Sequence, residues 1–503
     1  MTSGDVLDAL RGIVTDASAF TRAPRDAAVS AIVYDSRRAT PGSVFVALRG
    51  LKADGRQFVP QAIDRGASVV VADQPPAGDA PTHWIQVSDA RLALALLADR
   101  FYGRPSRQMP VIGVTGTNGK TTTAYVLSGI LEASGRRTGL LGTVLYRIGM
   151  EEREASRTTP EAPDVQQLLR EMLDAGCSAA VMEVSSHALA LRRVDGMHFA
   201  AGIFTNLTRD HLDFHEDMEA YFAAKRRLFE MLPDEAPGVV NVDDPRGRTL
   251  VPVCRNPVTY GMTGPADVMP AGPIDMTLSG LAFEIRTPRG LVAIQSRLVG
   301  RPNAYNILAA VAAASALDVP LDAIALGVRD LDGVPGRFEV VSSDHDDITV
   351  IVDYAHTDDA LRNLLETARP LAPHRLVTVF GCGGDRDRTK RPLMGMVAAR
   401  LSDVVVVTSD NPRSEEPARI IEEIRRGIPS GPQAGGRQAD VRAVVDRGEA
   451  IAKAIQIAGA GDLVLIAGKG HEKYQQVGDR VLPFDDGAVA REALAARRRS
   501  RAG

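Results

Sequence analysis

The chain has 503 residues, 45% hydrophobic and 24% charged, a balance ordinary for globular proteins and a length that suggests about three domains. A net charge of −4 with mixed signs leaves no footprint for nucleic acid. Three scattered cysteines, Cys177, Cys254 and Cys382, suggest neither a disulfide framework nor a metal cluster, and no apolar run approaches the roughly 18 residues of a membrane span.

The opening residues have no basic n-region and no apolar h-region, so a cytoplasmic location without membrane insertion is expected. Residues 1–107 alternate β-rich runs (44–48, 68–72) with helical stretches (59–65, 90–101). They predict a smaller N-terminal α/β domain. Residues 103–110 hold a glycine and two prolines and read as a linker.

Residues 111–123 read Val-Ile-Gly-Val-Thr-Gly-Thr-Asn-Gly-Lys-Thr-Thr-Thr, and an amphipathic stretch follows from 124 to 133. This predicts strand, phosphate loop and helix. Gly116 and Gly119 let backbone N–H groups approach phosphate oxygens, and the helix N-terminus adds partial positive charge. Lys120 can reach the β- and γ-phosphates, and Thr121 can offer its hydroxyl to Mg²⁺. Val114 replaces the first glycine of the strict pattern, so the loop is a variant. ATP or GTP is the expected ligand.

Further strands are predicted at 179–184, 202–205 and 239–242, with an antiparallel hairpin at 281–286 and 291–297. A break at 333–339 precedes strands 348–353, 376–380, 404–408 and 463–467, each ending in a polar or glycine-rich loop. Ligands collect beyond the carboxyl ends of such strands. The fold class is therefore α/β in three domains. Residues 1–107 form the small first domain, 108–336 a P-loop domain on a mainly parallel sheet, and 337–503 a C-terminal Rossmann-like sheet. The basic run 497–501 reads as a solvated tail.

Several clusters carry possible chemistry. Glu183 ends a strand near the phosphate loop, where it either anchors Mg²⁺ or caps a turn. The serines of Glu-Val-Ser-Ser-His187 either bind substrate or cap a helix. His211 is a metal ligand or a structural histidine. Lys225 shares a helix face with Tyr221 and Phe229; it either snorkels to water or is desolvated and reactive, and the pattern alone favours snorkelling. Asn303 and Asn306 open a helix running to about 317. Arg337 and the run Asp353-Tyr-Ala-His356 are candidates for contacting nucleotide across a cleft. In Asp-Asn-Pro-Arg413, Pro412 stiffens a turn that projects Arg413, which either grips a carboxylate or faces solvent.

In this order the motifs resemble the Mur ligase superfamily of ATP-dependent amide-forming enzymes, over roughly residues 34–475. Thr-Gly-Thr-Asn-Gly-Lys-Thr-Thr is shared across it. Tyr-Asp-Ser-Arg37, Thr-Thr-Pro160, Glu-Val-Ser-Ser-His187 and Asp-Asn-Pro-Arg413 narrow the resemblance to one branch. That branch adds meso-2,6-diaminopimelate to UDP-N-acetylmuramoyl-L-alanyl-D-glutamate. The resemblance implies that Gly116, Thr117, Asn118, Gly119, Lys120, Thr121 and Thr122 hold ATP, with Asn303, Asn306 and Arg337 on its adenine and phosphate sides. It implies Mg²⁺ near Thr121, Glu183 and His211, and a carbamylated Lys225, against the snorkelling reading. Lys120, Lys225 and His211 would be catalytic. Tyr34, Ser36, Leu51, Lys52 and Ala53 match the uridine-diphosphate site, and Thr158, Thr159, Ser185 and Arg193 the sugar-peptide site. Arg386, Asp410, Asn411, Pro412, Arg413, Gly468 and Glu472 match the amino-acid site, where Arg413 and Glu472 make a plausible clamp on the distal end of diaminopimelate. A monomer is expected. Leu191 departs from a Gln and Arg157 from an Asn usual in the branch. A lysine-adding or folylpolyglutamate-type ligase, or a nucleotide switch without ligase activity, are the alternatives.

Overall fold

The computed structural model describes residues 1–17, 26–50, 53–76, 83–429, 431 and 438–502. Three main sheets define three domains. The first has five strands in the spatial order Val14–Asp16, His83–Val87, Val69–Ala72, Val44–Val46, Ile32–Val33, all parallel except the first. Strand Val69–Ala72 is buried on both faces, as a helix-covered parallel strand must be. Helix Ala90–Phe101 starts where the Asp89 carboxylate accepts from the N–H groups of Arg91 and Leu92.

The central sheet has eight strands. Val111–Thr115 lies between Ala179–Glu183 and Ala201–Phe204, parallel to both. The carboxyl ends of these three strands therefore open onto one place, the foot of helix Lys120–Ala133. Three strands the periodicity did not predict, Thr138–Leu141, Leu145–Ile148 and Glu151–Glu154, extend one edge, the last two antiparallel. Asn256–Tyr260 extends the other.

The predicted hairpin is Gly280–Thr287 against Gly290–Ser296, with Phe283 opposite Ile294. One face alternates inward, and Phe283, Ile285, Val292 and Ile294 join the core against helices Leu321–Arg329 and Arg301–Ala316. The second helix begins two residues before Asn303, at Arg301 behind Gly300, with Pro302 in its first turn, where a missing N–H costs nothing.

The third sheet runs Glu339–Val340, Thr349–Asp353, Leu463–Ala467, Leu376–Phe380, Val404–Val407, Asp440–Ala443, parallel except for the first pair. A small hairpin, Tyr474–Val477 with Arg480–Pro483, stands beside its carboxyl end. Residues 498–501 are exposed, as expected of a solvated tail, and form the end of helix Asp486–Ala502. Arg497 and Arg501 pair with Asp347 and Arg498 with Asp346, so these tail charges have local acidic partners.

Candidate active site

Two clefts meet at the junction of the second and third domains. The first, about 270 Å³, is lined by Thr117, Asn118, Gly119, Lys120, Thr121, Thr122, Glu183, Ser185, Lys225, Asn303, Asn306 and Arg337. The second, about 910 Å³, takes in Thr158, Arg386, Asp410, Asn411, Arg413, Gly468 and Glu472. Thr143, Thr158, Asp210, His211, Tyr354 and His356 line both, so the clefts are continuous.

The phosphate loop is held from beneath. Thr205 Oγ1 donates to the Asn118 carbonyl at 2.6 Å, and Asn118 N–H donates to Asn206 Oδ1 at 2.9 Å. Gly116 has φ +146°, and a Cβ there would fall 1.8 Å from Thr205 Oγ1. Gly119 has φ +87°, and its Cβ would fall 2.3 Å from Asn306 Oδ1. Both positions require glycine. Lys120 Nζ is folded back, donating to the Gly116 and Thr117 carbonyls at 3.1 and 2.8 Å. Asn306 donates to Asn303 Oδ1 at 3.0 Å, and Asn303 to the Val299 carbonyl at 2.8 Å.

Lys225 is buried, with Nζ 2.7 Å from the Gly116 carbonyl and 4.4 Å from the centre of the Tyr221 ring. Burial, and then the nearby Lys120 charge, push its pKa well below the ordinary lysine value. Snorkelling is thereby excluded; the amine is desolvated. His211 has φ +53°. Burial holds its pKa down at about 3, with His187, Lys120 and Lys225 adding to the effect and Asp210 opposing it. Its imidazole is neutral at neutral pH, the form that binds metals. Buried Glu183 accepts from Thr143 N–H at 2.7 Å and Thr143 Oγ1 at 3.0 Å. Among the described residues no three His, Cys, Asp or Glu side chains converge as a metal site. A Mg²⁺ ion needs no such cage: one carboxylate, a hydroxyl and phosphate oxygens suit it. Glu183 and Thr121 supply the carboxylate and hydroxyl of that set, and neutral His211 lines the same cleft beside them.

Third-domain groups close over the loop. Arg337 Nη2 donates to Thr121 Oγ1 at 3.2 Å, and its guanidinium lies 4.5 Å from the Tyr354 ring. Asn118 Nδ2 donates to Asp359 at 3.2 Å. Arg209 donates to Asp358 and Thr389, both at 3.1 Å.

The wall toward the first domain is built on Thr159. Its hydroxyl donates to the Glu183 carbonyl at 2.9 Å, and Ser185 N–H donates to it at 3.1 Å. Ser185 also caps helix Ser186–Ala190 by accepting from Ala188 N–H, so its capping and wall positions coexist. Thr158 and Thr143 hydroxyls are 3.1 Å apart. Arg193 is occupied by the Thr159 carbonyl at 2.9 Å and Glu161 at 2.8 Å. Arg157 reaches the same Glu161 at 2.9 Å, so this departure shares an existing ion pair. Leu191 merely ends helix Ser186–Ala190. In the first domain Tyr34 donates to Asp164 at 2.7 Å and Ser36 to Gln61 at 2.6 Å. Ala53 is exposed; Leu51 and Lys52 lie outside the described residues.

In the larger cleft Arg413 has φ +52° and donates to the Gly384 carbonyl at 2.8 Å. Glu472 is bonded to Asn411 Nδ2 at 2.9 Å and to Lys469 at 3.1 Å. Arg413 and Glu472 line one cleft without touching through any bond described here. Three supporting residues escaped the sequence reading. Fully buried Arg391 spans Glu415, Glu423 and the Gly383 carbonyl, fixing the loop that carries Arg386. Fully buried Arg447 pairs with Asp486 through two 2.7 Å bonds and donates to the Ser409 and Ala467 carbonyls, one residue short of Asp410 and Gly468. Lys469, also fully buried, is the third. Only its place in Gly468-Lys-Gly-His-Glu472 hinted at it.

Comparison with known proteins bears directly on this arrangement. Three family models match in chain order: the Mur ligase family catalytic domain at 28–102, the Mur ligase middle domain at 114–314, and the Mur ligase glutamate ligase domain at 336–470. The chain belongs to the Mur ligase family. A UDP-N-acetylmuramoyl-L-alanyl-D-glutamate--2,6-diaminopimelate ligase of Solibacter usitatus is 49% identical, with 93% of each chain covered. One of the same name from Geobacter metallireducens is 47% identical over 98% of this chain and 91% of its own. A solved structure of a ligase so named superposes with TM-score 0.67 at 33% identity, covering 95% of this chain and 97% of that one. As in a Mur ligase, the phosphate loop sits in the middle domain and is faced by the domain that follows it. Among the described residues no helix is long and apolar enough to cross a membrane.

Proposed function

We propose that the chain is an ATP-dependent ligase that joins meso-2,6-diaminopimelate to UDP-N-acetylmuramoyl-L-alanyl-D-glutamate, in the cytoplasmic synthesis of peptidoglycan precursor. The observation that carries this reading is the continuity of the two clefts: a phosphate loop opens directly into a pocket lined by paired acids and arginines. The names of the relatives supply the substrates. We read the working unit as a monomer.

A carboxylate is a poor acyl donor, so one of its oxygens first attacks the γ-phosphorus of ATP. The bond from that phosphorus to the β–γ bridging oxygen breaks, and ADP leaves. Gly116 to Thr122 cradle the phosphates by their N–H groups, with Asn303, Asn306 and Arg337 around the rest of the nucleotide. Lys120 exchanges its two carbonyl partners for phosphate oxygens. Thr121 and Glu183, with His211 beside them, would hold a Mg²⁺ ion, which would neutralise charge on the transferring phosphoryl group. The neutral, desolvated amine of Lys225 would take up CO₂, its proton passing to solvent, and the resulting carbamate would add a negative charge to the cleft that Thr121, Glu183 and His211 line.

The amine of diaminopimelate then attacks the acyl-phosphate carbon. Phosphate departs with the electron pair of the C–O bond, the nitrogen loses a proton, and the amide remains. Arg413 and Arg386 are assigned the distal carboxylate and Glu472 the distal ammonium, beside Asp410, Asn411, Pro412 and Gly468. Thr158, Thr159, Ser185 and Arg193 line the route of the sugar-peptide, with Tyr34, Ser36 and residues 51–53 for its uridine end. The test is phosphate release from ATP with UDP-N-acetylmuramoyl-L-alanyl-D-glutamate and either diaminopimelate or lysine. Release dependent on diaminopimelate, with lysine near background, is expected. Equal use of lysine discards the Arg413 assignment; no release with either overturns the ligase reading.

A further inference from the structure

We propose that Lys469 is a positioning residue that makes the amino-acid pocket select a side chain ending in both an ammonium and a carboxylate over one ending in an ammonium alone. The inference rests on the ligase reading above. Lys469 follows strand Leu463–Ala467 and is completely buried. Its Nζ donates to Asn411 Oδ1 at 3.0 Å and Glu472 Oε2 at 3.1 Å, and lies 3.8 Å from Asp410 Oδ1. The Tyr474 ring centre is 5.4 Å away on another side. Nothing in the steps above uses this cation.

Two consequences follow from the geometry. The first is orientation. Glu472 Oε2 receives both Lys469 and Asn411 Nδ2, and Asn411 Oδ1 receives both Lys469 and the Gln476 N–H. These bonds lock the Glu472 carboxylate and the Asn411 amide together, and Oε1 of Glu472 takes part in none of them. The second is charge. Asp410 and Glu472 would present two negative charges to a ligand; Lys469 cancels one. One ligand ammonium then balances what remains. The ligand carboxylate offsets one of the two cations, Arg413 and Arg386, that line the same cleft. Lysine carries the ammonium but leaves the arginines unanswered. Without Lys469 the pocket gains one negative charge, and a purely cationic end is less disfavoured beside those arginines.

The experiment compares Lys469→Met and Lys469→Arg with the unaltered full-length chain. Steady-state phosphate release is measured with ATP, UDP-N-acetylmuramoyl-L-alanyl-D-glutamate, and either diaminopimelate or L-lysine. For K469M, KM for diaminopimelate rises about tenfold and the diaminopimelate-to-lysine ratio of kcat/KM falls about tenfold. KM for ATP stays within about twofold. K469R keeps the cation and holds the ratio within about threefold. An unchanged ratio in K469M overturns the proposal, as does an equal loss in K469R. The K469R arm decides even where K469M fails to fold, because it leaves no buried carboxylate without a cation. An unaltered chain that does not use diaminopimelate defeats the ligase reading; one that does, with the ratio unmoved in K469M, defeats only the role of Lys469.

Discussion

Arg413 shows how a single side chain is made ready for a ligand. Its φ of +52° is a conformation that L-residues seldom adopt, and two backbone bonds hold it there: its N–H donates to the Gln476 carbonyl, and Gly478 N–H donates to its own carbonyl. The guanidinium rests on the Gly384 carbonyl, with donors left for a carboxylate. Arg413→Ala is expected to lower kcat/KM for diaminopimelate on the order of 10²-fold, with ATP binding intact by calorimetry. Unchanged turnover would remove Arg413 from the site. Asp99 makes a different prediction. Burial raises its pKa to about 6, with Arg104 and Arg107 opposing; Oδ1 has no hydrogen-bond partner, and Arg104 stands 3.7 Å from Oδ2. Between pH 3.8 and about 6 the native state holds a proton that the unfolded state has lost, so stability falls as pH rises through that window. Asp99→Asn should stabilise at pH 7, by about 1 kcal/mol after discounting for solvent screening, with no gain at pH 3.5. Equal melting temperatures at pH 7 would refute this. The phosphate loop and Arg413 were legible because short motifs carry their own geometry. Lys469, Arg391 and Arg447 were not, because burial of a cation is settled by partners 39 or fewer residues away in some cases and far more distant in others, as with Lys469 and Asn411.

At the scale of elements, legibility followed hydrophobic pattern. Val111–Thr115, Leu376–Phe380 and Leu463–Ala467 are apolar runs buried on both faces, and each was found. Glu151–Glu154 has three glutamates and an arginine; as a largely exposed edge strand it has no apolar period to read. The same packing sets a prediction. Gly327, in helix Leu321–Arg329, lies against Gly129 and Ile130 of the helix that follows the phosphate loop. A Cβ at Gly327 would stand 2.4 Å from Ile130 Cα and 2.6 Å from the Gly129 carbonyl. The backbones cross too closely for any side chain there. Gly327→Ala should force the helices apart and cost about 1–3 kcal/mol in denaturant unfolding, whereas an exposed helical glycine would gain from alanine. A stabilised variant would contradict this packing.

At the scale of the whole molecule, the reaction needs three ligands brought together from three domains and water kept from an acyl phosphate. Polar contacts bring the third domain onto the second, Arg337 to Thr121, Asn118 to Asp359, and Arg209 to Asp358 and Thr389, beside apolar packing in which Val299 and Leu278 join the third domain's core. The Arg337 bond falls on the phosphate loop itself, so ligand binding and closure are linked there. Arg209 is different, because it joins the domains from the lining of the larger cleft and has no part in the proposed steps. Its side chain is a third exposed, so its pair with Asp358 contributes about 1 kcal/mol at most, a factor of roughly five in the closed population. Arg209→Ala should therefore lower kcat by up to about fivefold and, through that linkage, weaken ATP binding by no more than the same factor. Small-angle scattering with nucleotide bound should show a more extended particle. Asp358→Ala should give part of the same loss, because Arg209 keeps its bond to Thr389, and the double variant little more than Arg209→Ala alone, since the Asp358 contact is already gone there. Losses that multiply in the double variant would mean that the two residues act separately, and that the domains are held closed by other contacts.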